Sequence, residues 1–114
     1  MSDKSARPET AASARSQPIH AFERLPIPPG AVGIHWFGQS SFALKDAGGT
    51  ILLIDPHFPR VRPLDEFIHA ESPLDEATLK PDFVLLTHEH GDHTCVESLT
   101  RIRGAFPATR YYGP

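Results

Sequence analysis

One cysteine, Cys95, stands alone among 114 residues, so no internal disulfide can form. A lone thiol of this kind fits a reducing compartment. No apolar run approaches the ~18 residues that a transmembrane helix needs, and the N-terminus has no apolar core of the kind that opens a secretory signal. Basic runs are also missing. With 11 Lys and Arg against 14 Asp and Glu the formal charge is −3, so bulk electrostatics recommends neither nucleic acid nor an anionic membrane as partner. A cytoplasmic protein is the expectation that remains. Apolar residues are scarce before Ile19 as well, where Ser, Ala, Pro and charge dominate. Such a stretch cannot bury enough surface to offset its ordering entropy. Residues 1–29 are therefore read as a disordered tail to Pro18 with an extended lead-in from Ile19 to Pro29. Asp3 and Glu9 argue against a transit peptide.

What the chain does have is Thr87-His88-Glu89-His90-Gly91-Asp92-His93, closing an apolar run. Three imidazoles and a carboxylate so close together are poor core material. As metal donors they are well matched, because neutral imidazole nitrogen and carboxylate oxygen suit zinc, manganese and iron(II). With seven His and seven Asp in the chain, His-x-His-x-Asp-His arises by chance in about one such chain in 700. The pattern is informative where a single His would not be.

Gly33 to Ile54 alternates short apolar runs with glycine turns, which predicts a three-stranded meander over residues 33–37, 41–45 and 50–54. Ile51-Leu52-Leu53-Ile54 is apolar on both faces and is expected to be central and covered on both sides. Asp55 then ends its strand just before a proline that cannot donate to a sheet. A carboxylate there can hold a neighbouring loop's N–H groups or orient a metal-binding imidazole; an ordinary turn cap is the bland alternative. His57 falls at the same edge and either lines a pocket or sits on the surface. Arg60 and Arg62 suit a substrate anion, although such pairs are more often a solvated loop face. His20, His35 and His69 belong to no constellation.

Pro59 to Ser72 reads as loop, with a short helical turn around Leu64 to Ile68. Ser72-Pro73-Leu74-Asp75 looks like the start of a helix that ends near Lys80 before Pro81. Asp82 to Thr87 is a second buried strand that delivers His88 to the sheet edge, where sites gather in open α/β arrangements. Thr94-Cys95-Val96-Glu97 has the form of a capping box. The helix it opens is expected to bury Val96, Leu99 and Ile102, to turn Glu97, Arg101 and Arg103 outward, and to stop at Gly104. Cys95 is assigned to packing. A last strand runs from Ala108 to Tyr112.

The heptad resembles the signature of the metallo-beta-lactamase superfamily of metal-dependent hydrolases, and all four of its defining positions are filled. Trp36, Gly38, Ser41 and Phe42, followed by Asp55, Pro56 and Phe58, are similar to the opening of the branch with ascorbate-phosphate lactonases and N-acyl phosphatidylethanolamine phospholipases of the D type. The resemblance implies that His88 and His90 serve one metal and Asp92 and His93 a second, with Asp92 also orienting the nucleophile. Two ions, zinc or manganese, would carry a hydroxide that attacks a small-molecule lactone, ester or phosphodiester. Fold class follows as α/β, residues 30–114 forming the N-terminal half of an αββα sandwich. The family completes its sites with a later His, a bridging Asp and a last His, none of which this chain contains. A missing C-terminal half or a partner chain is thus expected to complete the site. The alternative is a non-catalytic truncated remnant that binds metal weakly or pairs with another chain.

Overall fold

The computed structural model describes residues 18–63, 65–90 and 94–114. The tail through Gln17, together with Leu64, Gly91, Asp92 and His93, lies outside the described residues. A short helix α1 (Ala21–Arg24) precedes strands β1 (Val32–Trp36), β2 (Phe42–Asp46) and β3 (Ile51–Ile54). A single 3₁₀ turn (Glu76–Thr78) follows, then β4 (Phe83–Leu85), α2 (Val96–Ala105) and β5 (Arg110–Tyr112). All five strands form one sheet in the order β1-β2-β3-β4-β5. The first three pair antiparallel, while β4 runs parallel to β3 and β5 parallel to β4.

This mixed sheet follows from the lengths of the connections. Short glycine turns can only reverse the chain, whereas parallel neighbours need long crossovers, which residues 55–82 and 86–109 supply. The strand boundaries predicted for the meander agree with the structure to within a residue or so. Ile51–Ile54 is central, as its composition implied.

Among the described residues only one face of the sheet is packed. Ala43, Ile51, Leu53 and Val84 point into a core completed by Phe37, Phe58, Leu74, Leu79 and Ile102. On the other face Val32, Ile34 and Trp36 are 58%, 65% and 50% exposed. Leu44, Leu52 and Ile54 are only half-buried. The expectation that β3 is covered on both sides is therefore corrected for the described residues: its burial alternates along the strand. Period-2 geometry explains this, since successive side chains take opposite faces and only one face meets the helices.

Several local expectations also change. The lead-in is not simply extended, because His20 caps α1 and Phe22 is 5% exposed, docked as an anchor. The helix expected from Ser72 shrinks to the 3₁₀ turn, capped by Asp75, whose carboxylate accepts the Ala77 N–H at 3.1 Å. Asp rather than Ser wins here because the chain is still extended at Asp75. No helix forms over 65–68. Helix α2 starts at Val96 and passes through Gly104 to Ala105, where the Phe106 N–H still reaches the Ile102 carbonyl at 2.8 Å. Its buried side is Cys95, Ser98 and Ile102 with Leu99 beside them, while Val96 is 72% exposed. No helix among the described residues is long and apolar enough to cross a membrane.

Candidate metal centre

Parallel pairing of β3 with β4 brings their carboxyl ends to the same edge of the sheet. Asp55 follows one strand and Thr87-His88 follow the other. Asp55 adopts φ +47°, a left-handed conformation that Asp tolerates better than most residues. Its N–H donates to the Leu85 carbonyl at 2.9 Å, so the turn is tied to β4. The carboxylate is buried and faces the neighbouring loop: Oδ1 accepts the Thr87 N–H at 2.7 Å and Oδ2 accepts the Thr87 hydroxyl. Asp55 thus holds the N–H of the neighbouring loop at Thr87.

Ser41 secures the same turn from β2's side. It is fully buried, its hydroxyl donating to the Asp55 carbonyl at 2.6 Å and accepting the His57 N–H at 3.1 Å. In the sequence Ser41 stands out only as part of a motif, and its local surroundings assign it no role. Gly38 has φ +94°, and a Cβ there would stand 2.9 Å from His69 Nδ1. Glycine at this position therefore lets the Gly38–Ser41 turn and the 59–72 loop approach each other.

His88 and His90 project at the open edge, both exposed, with ring centroids 6.1 Å apart and planes 17° from parallel. An imidazole centre stands about 3.2 Å from a metal bound at its nitrogen, given Zn–N of about 2.0–2.1 Å, so two rings on one tetrahedral ion have centres about 5.2 Å apart, and this pair would close by roughly an ångström to share one. The donor chemistry fits a divalent metal. Asp92 and His93 lie outside the described residues, and among the described ones no group of three donors converges.

Thr94 closes the heptad loop instead of capping α2. Its N–H donates to the His90 carbonyl at 2.7 Å and its hydroxyl to the His88 carbonyl. Cys95 occupies the N-cap position and makes no side-chain cap bond. The expected capping box is thus corrected: the Thr94 hydroxyl serves the loop before it, not the helix after it.

The arginines of the 59–72 loop tie it to the rest of the protein. Arg60 bonds to Glu76 at 2.7 Å, to the Phe58 carbonyl at 2.8 Å and to Ser72 at 3.2 Å. Arg62 holds the carbonyls of His69 and Pro59 and lies 4.2 Å from the centre of the Phe67 ring. Its pKa is lowered by burial first and by Arg60 second. The Arg60 side chain nonetheless remains 41% exposed, so these ties sit on a loop face that still meets solvent. His57 is half-buried, its ring 5.3 Å from that of Phe67.

Glu76, whose side chain is 0% exposed, also accepts Arg101 Nε at 3.0 Å. Arg101 continues to the Phe58 carbonyl at 2.8 Å and to Glu97 at 2.8 Å, so it faces inward, contrary to the helical-stripe expectation. Burial opposes the Arg101 charge, yet the hydrogen bonds it donates to Glu76 and Glu97 outweigh burial and raise its pKa. Glu97 is lowered chiefly by its bond from Arg101. No periodicity rule singles out this network, because its members are scattered over three segments.

A family model described as a beta-lactamase superfamily domain matches residues 33–110. The chain belongs to the metallo-beta-lactamase superfamily. Within the superfamily it is similar to a UPF0173 metal-dependent hydrolase of Thermodesulfovibrio yellowstonii, 42% identical over 64 residues, or 56% of this chain and 22% of the relative. A UPF0173 metal-dependent hydrolase of Nitratidesulfovibrio vulgaris is 45% identical over 60 residues, 53% of this chain and 22% of the relative. One of Oenococcus oeni is 39% identical over 61 residues, 54% of this chain and 23% of the relative. The match thus spans about a fifth of the length of these curated relatives. The superfamily fold agrees with the mixed α/β sheet observed.

Proposed function

We propose that this chain carries the donor loop of a metal-dependent hydrolase, with His88 and His90 on one divalent metal and Asp92 and His93 on a second. The supporting observation is the exposed His88–His90 pair at the edge where β3 and β4 end, backed by buried Asp55. The relatives' name, metal-dependent hydrolase, points the same way. Bound divalent metal, zinc or manganese, would supply Lewis acidity and lower the pKa of water. The chain's own part is placement. Asp55 and Thr94 hold the backbone beside His88 and at His90, which anchors these two donors at the sheet edge. Asp92 is assigned to the second metal and to orienting the nucleophile. A lactone, ester or phosphodiester is the proposed substrate of the whole protein, and the cytoplasm its proposed location.

A second reading, a remnant that binds metal weakly or pairs with another chain, draws support from the open apolar face of the sheet. Calorimetric zinc and manganese binding, run on this chain and on His90→Ala under reducing conditions, tests the first. Binding in the parent that falls at least tenfold in the variant supports the donor loop. A folded parent that binds neither metal would show that these residues alone do not make a usable site.

A further inference from the structure

Counting donors along Asp55, Thr87 and His88 decides more than the position of the loop. The Asp55 carboxylate is an acceptor and takes both of Thr87's protons, the N–H on Oδ1 at 2.7 Å and the hydroxyl on Oδ2. A threonine hydroxyl has one proton. The same Oγ1 lies 3.0 Å from His88 Nδ1, and with its proton committed to Asp55 it can meet that nitrogen only as an acceptor. His88 Nδ1 must therefore carry the ring proton, which puts the lone pair on Nε2.

We infer that Thr87 is a positioning residue that sets the His88 tautomer, passing the orientation of the Asp55 carboxylate to the imidazole that would bind metal. The inference rests on the metal-site reading above for its purpose but not for its test. Asp55 can act as a fixed reference because the turn is pinned independently: its carbonyl accepts the Ser41 hydroxyl, its N–H reaches β4, and its side chain is shut off from water. An imidazole in water prefers its proton on Nε2, the arrangement that would spend the lone pair on the wrong nitrogen here. Partners of this kind fix ring orientation and ligand basicity, and losing them typically weakens metal binding about 10- to 100-fold.

The test begins without metal. Long-range proton–nitrogen correlation on the ¹⁵N-histidine-labelled 114-residue chain reads each imidazole tautomer, with the His88 signal assigned by its loss in His88→Gln. The parent and Thr87→Ser should both show the Nδ1–H form, whereas Thr87→Val should shift His88 toward Nε2–H. Asp55→Asn, which accommodates the same backbone, should loosen the preference as well. Zinc affinity measured on the same samples should drop about 10- to 100-fold in Thr87→Val and stay near the parent value in Thr87→Ser. An Nε2–H tautomer in the parent overturns the inference, and so does an unchanged tautomer in folded Thr87→Val. If the tautomer follows Thr87 while no variant or parent binds zinc, Thr87 still sets the ring and the metal reading is what fails.

Discussion

The Phe58 N–H donates to the Ser98 hydroxyl at 2.7 Å, both residues fully buried and forty positions apart in the chain. This bond joins the loop that follows Asp55 to the helix that follows the donor heptad. With Asp55 bound to Thr87 at the other side and Arg101 bound to the Phe58 carbonyl, the two segments flanking the candidate site are fastened to each other at several points.

Removing the Ser98 hydroxyl should be felt in stability. Ser98→Ala leaves the Phe58 N–H buried without its partner, which costs about 1–3 kcal/mol. Ser98→Thr keeps the acceptor but adds a methyl in a closed space. Chemical denaturation should therefore place the alanine variant clearly below the parent; equal midpoints would mean the loop finds another acceptor.

Glu76 should matter more than either arginine it binds. Glu76→Gln removes the charge between Arg60 and Arg101 and should destabilise by about 1–3 kcal/mol, a figure reduced for the partial exposure of both guanidinium groups. Arg60→Ala should cost less than Arg101→Ala, because the Arg60 side chain is 41% exposed against 31%. Of the two guanidinium groups, it is also that of Arg101 that bonds to Glu97, whereas Arg60 reaches it through its backbone N–H, which the substitution keeps. Denaturation of the three variants in parallel checks the order.

His20 should make stability depend on mild acid. Its pKa is lowered, by burial first and by His35 second, with Glu23 opposing, and its Nδ1 accepts the Phe22 N–H at 3.0 Å. The neutral ring is the form the fold favours. Because the folded pKa lies below the unfolded value, the unfolded chain binds the extra proton, so this contribution is complete above the ordinary value of about 6.5 and is lost as pH falls from there toward the folded value. Replacing His20 by Asn, which can still cap, should flatten that part of a stability-against-pH curve; an unchanged slope would assign it elsewhere.

The open sheet face should be adhesive. Ile34, 65% exposed on β1, can be changed to Lys with a stability effect of no more than about 0.5 kcal/mol. The same change should reduce self-association and the binding of an apolar dye. Light scattering and dye fluorescence over a concentration series would detect this, and identical behaviour in parent and variant would show that the face recruits nothing.

Local chemistry made much of this protein legible in its sequence. Glycine turns between apolar runs announce the meander, and Pro56 behind a buried strand announces where it ends. The His88–His93 cluster is recognisable because its residue types are costly to explain by packing. Such signals depend on neighbours within a few positions. Tertiary structure decided the rest, wherever a side chain had a choice of partners at long range. Thr94 could have capped α2 but closes the loop instead; Arg101 had a solvent-facing place in the helical pattern but turns to a buried glutamate twenty-five residues away. Ser41 and Ser98 are small polar residues that any loop might hold, and they became buried ties only because β2 and α2 bring them against Asp55 and Phe58. Hydrogen bonds between distant segments leave no period in a sequence, since their geometry exists only once the sheet has set which ends lie side by side.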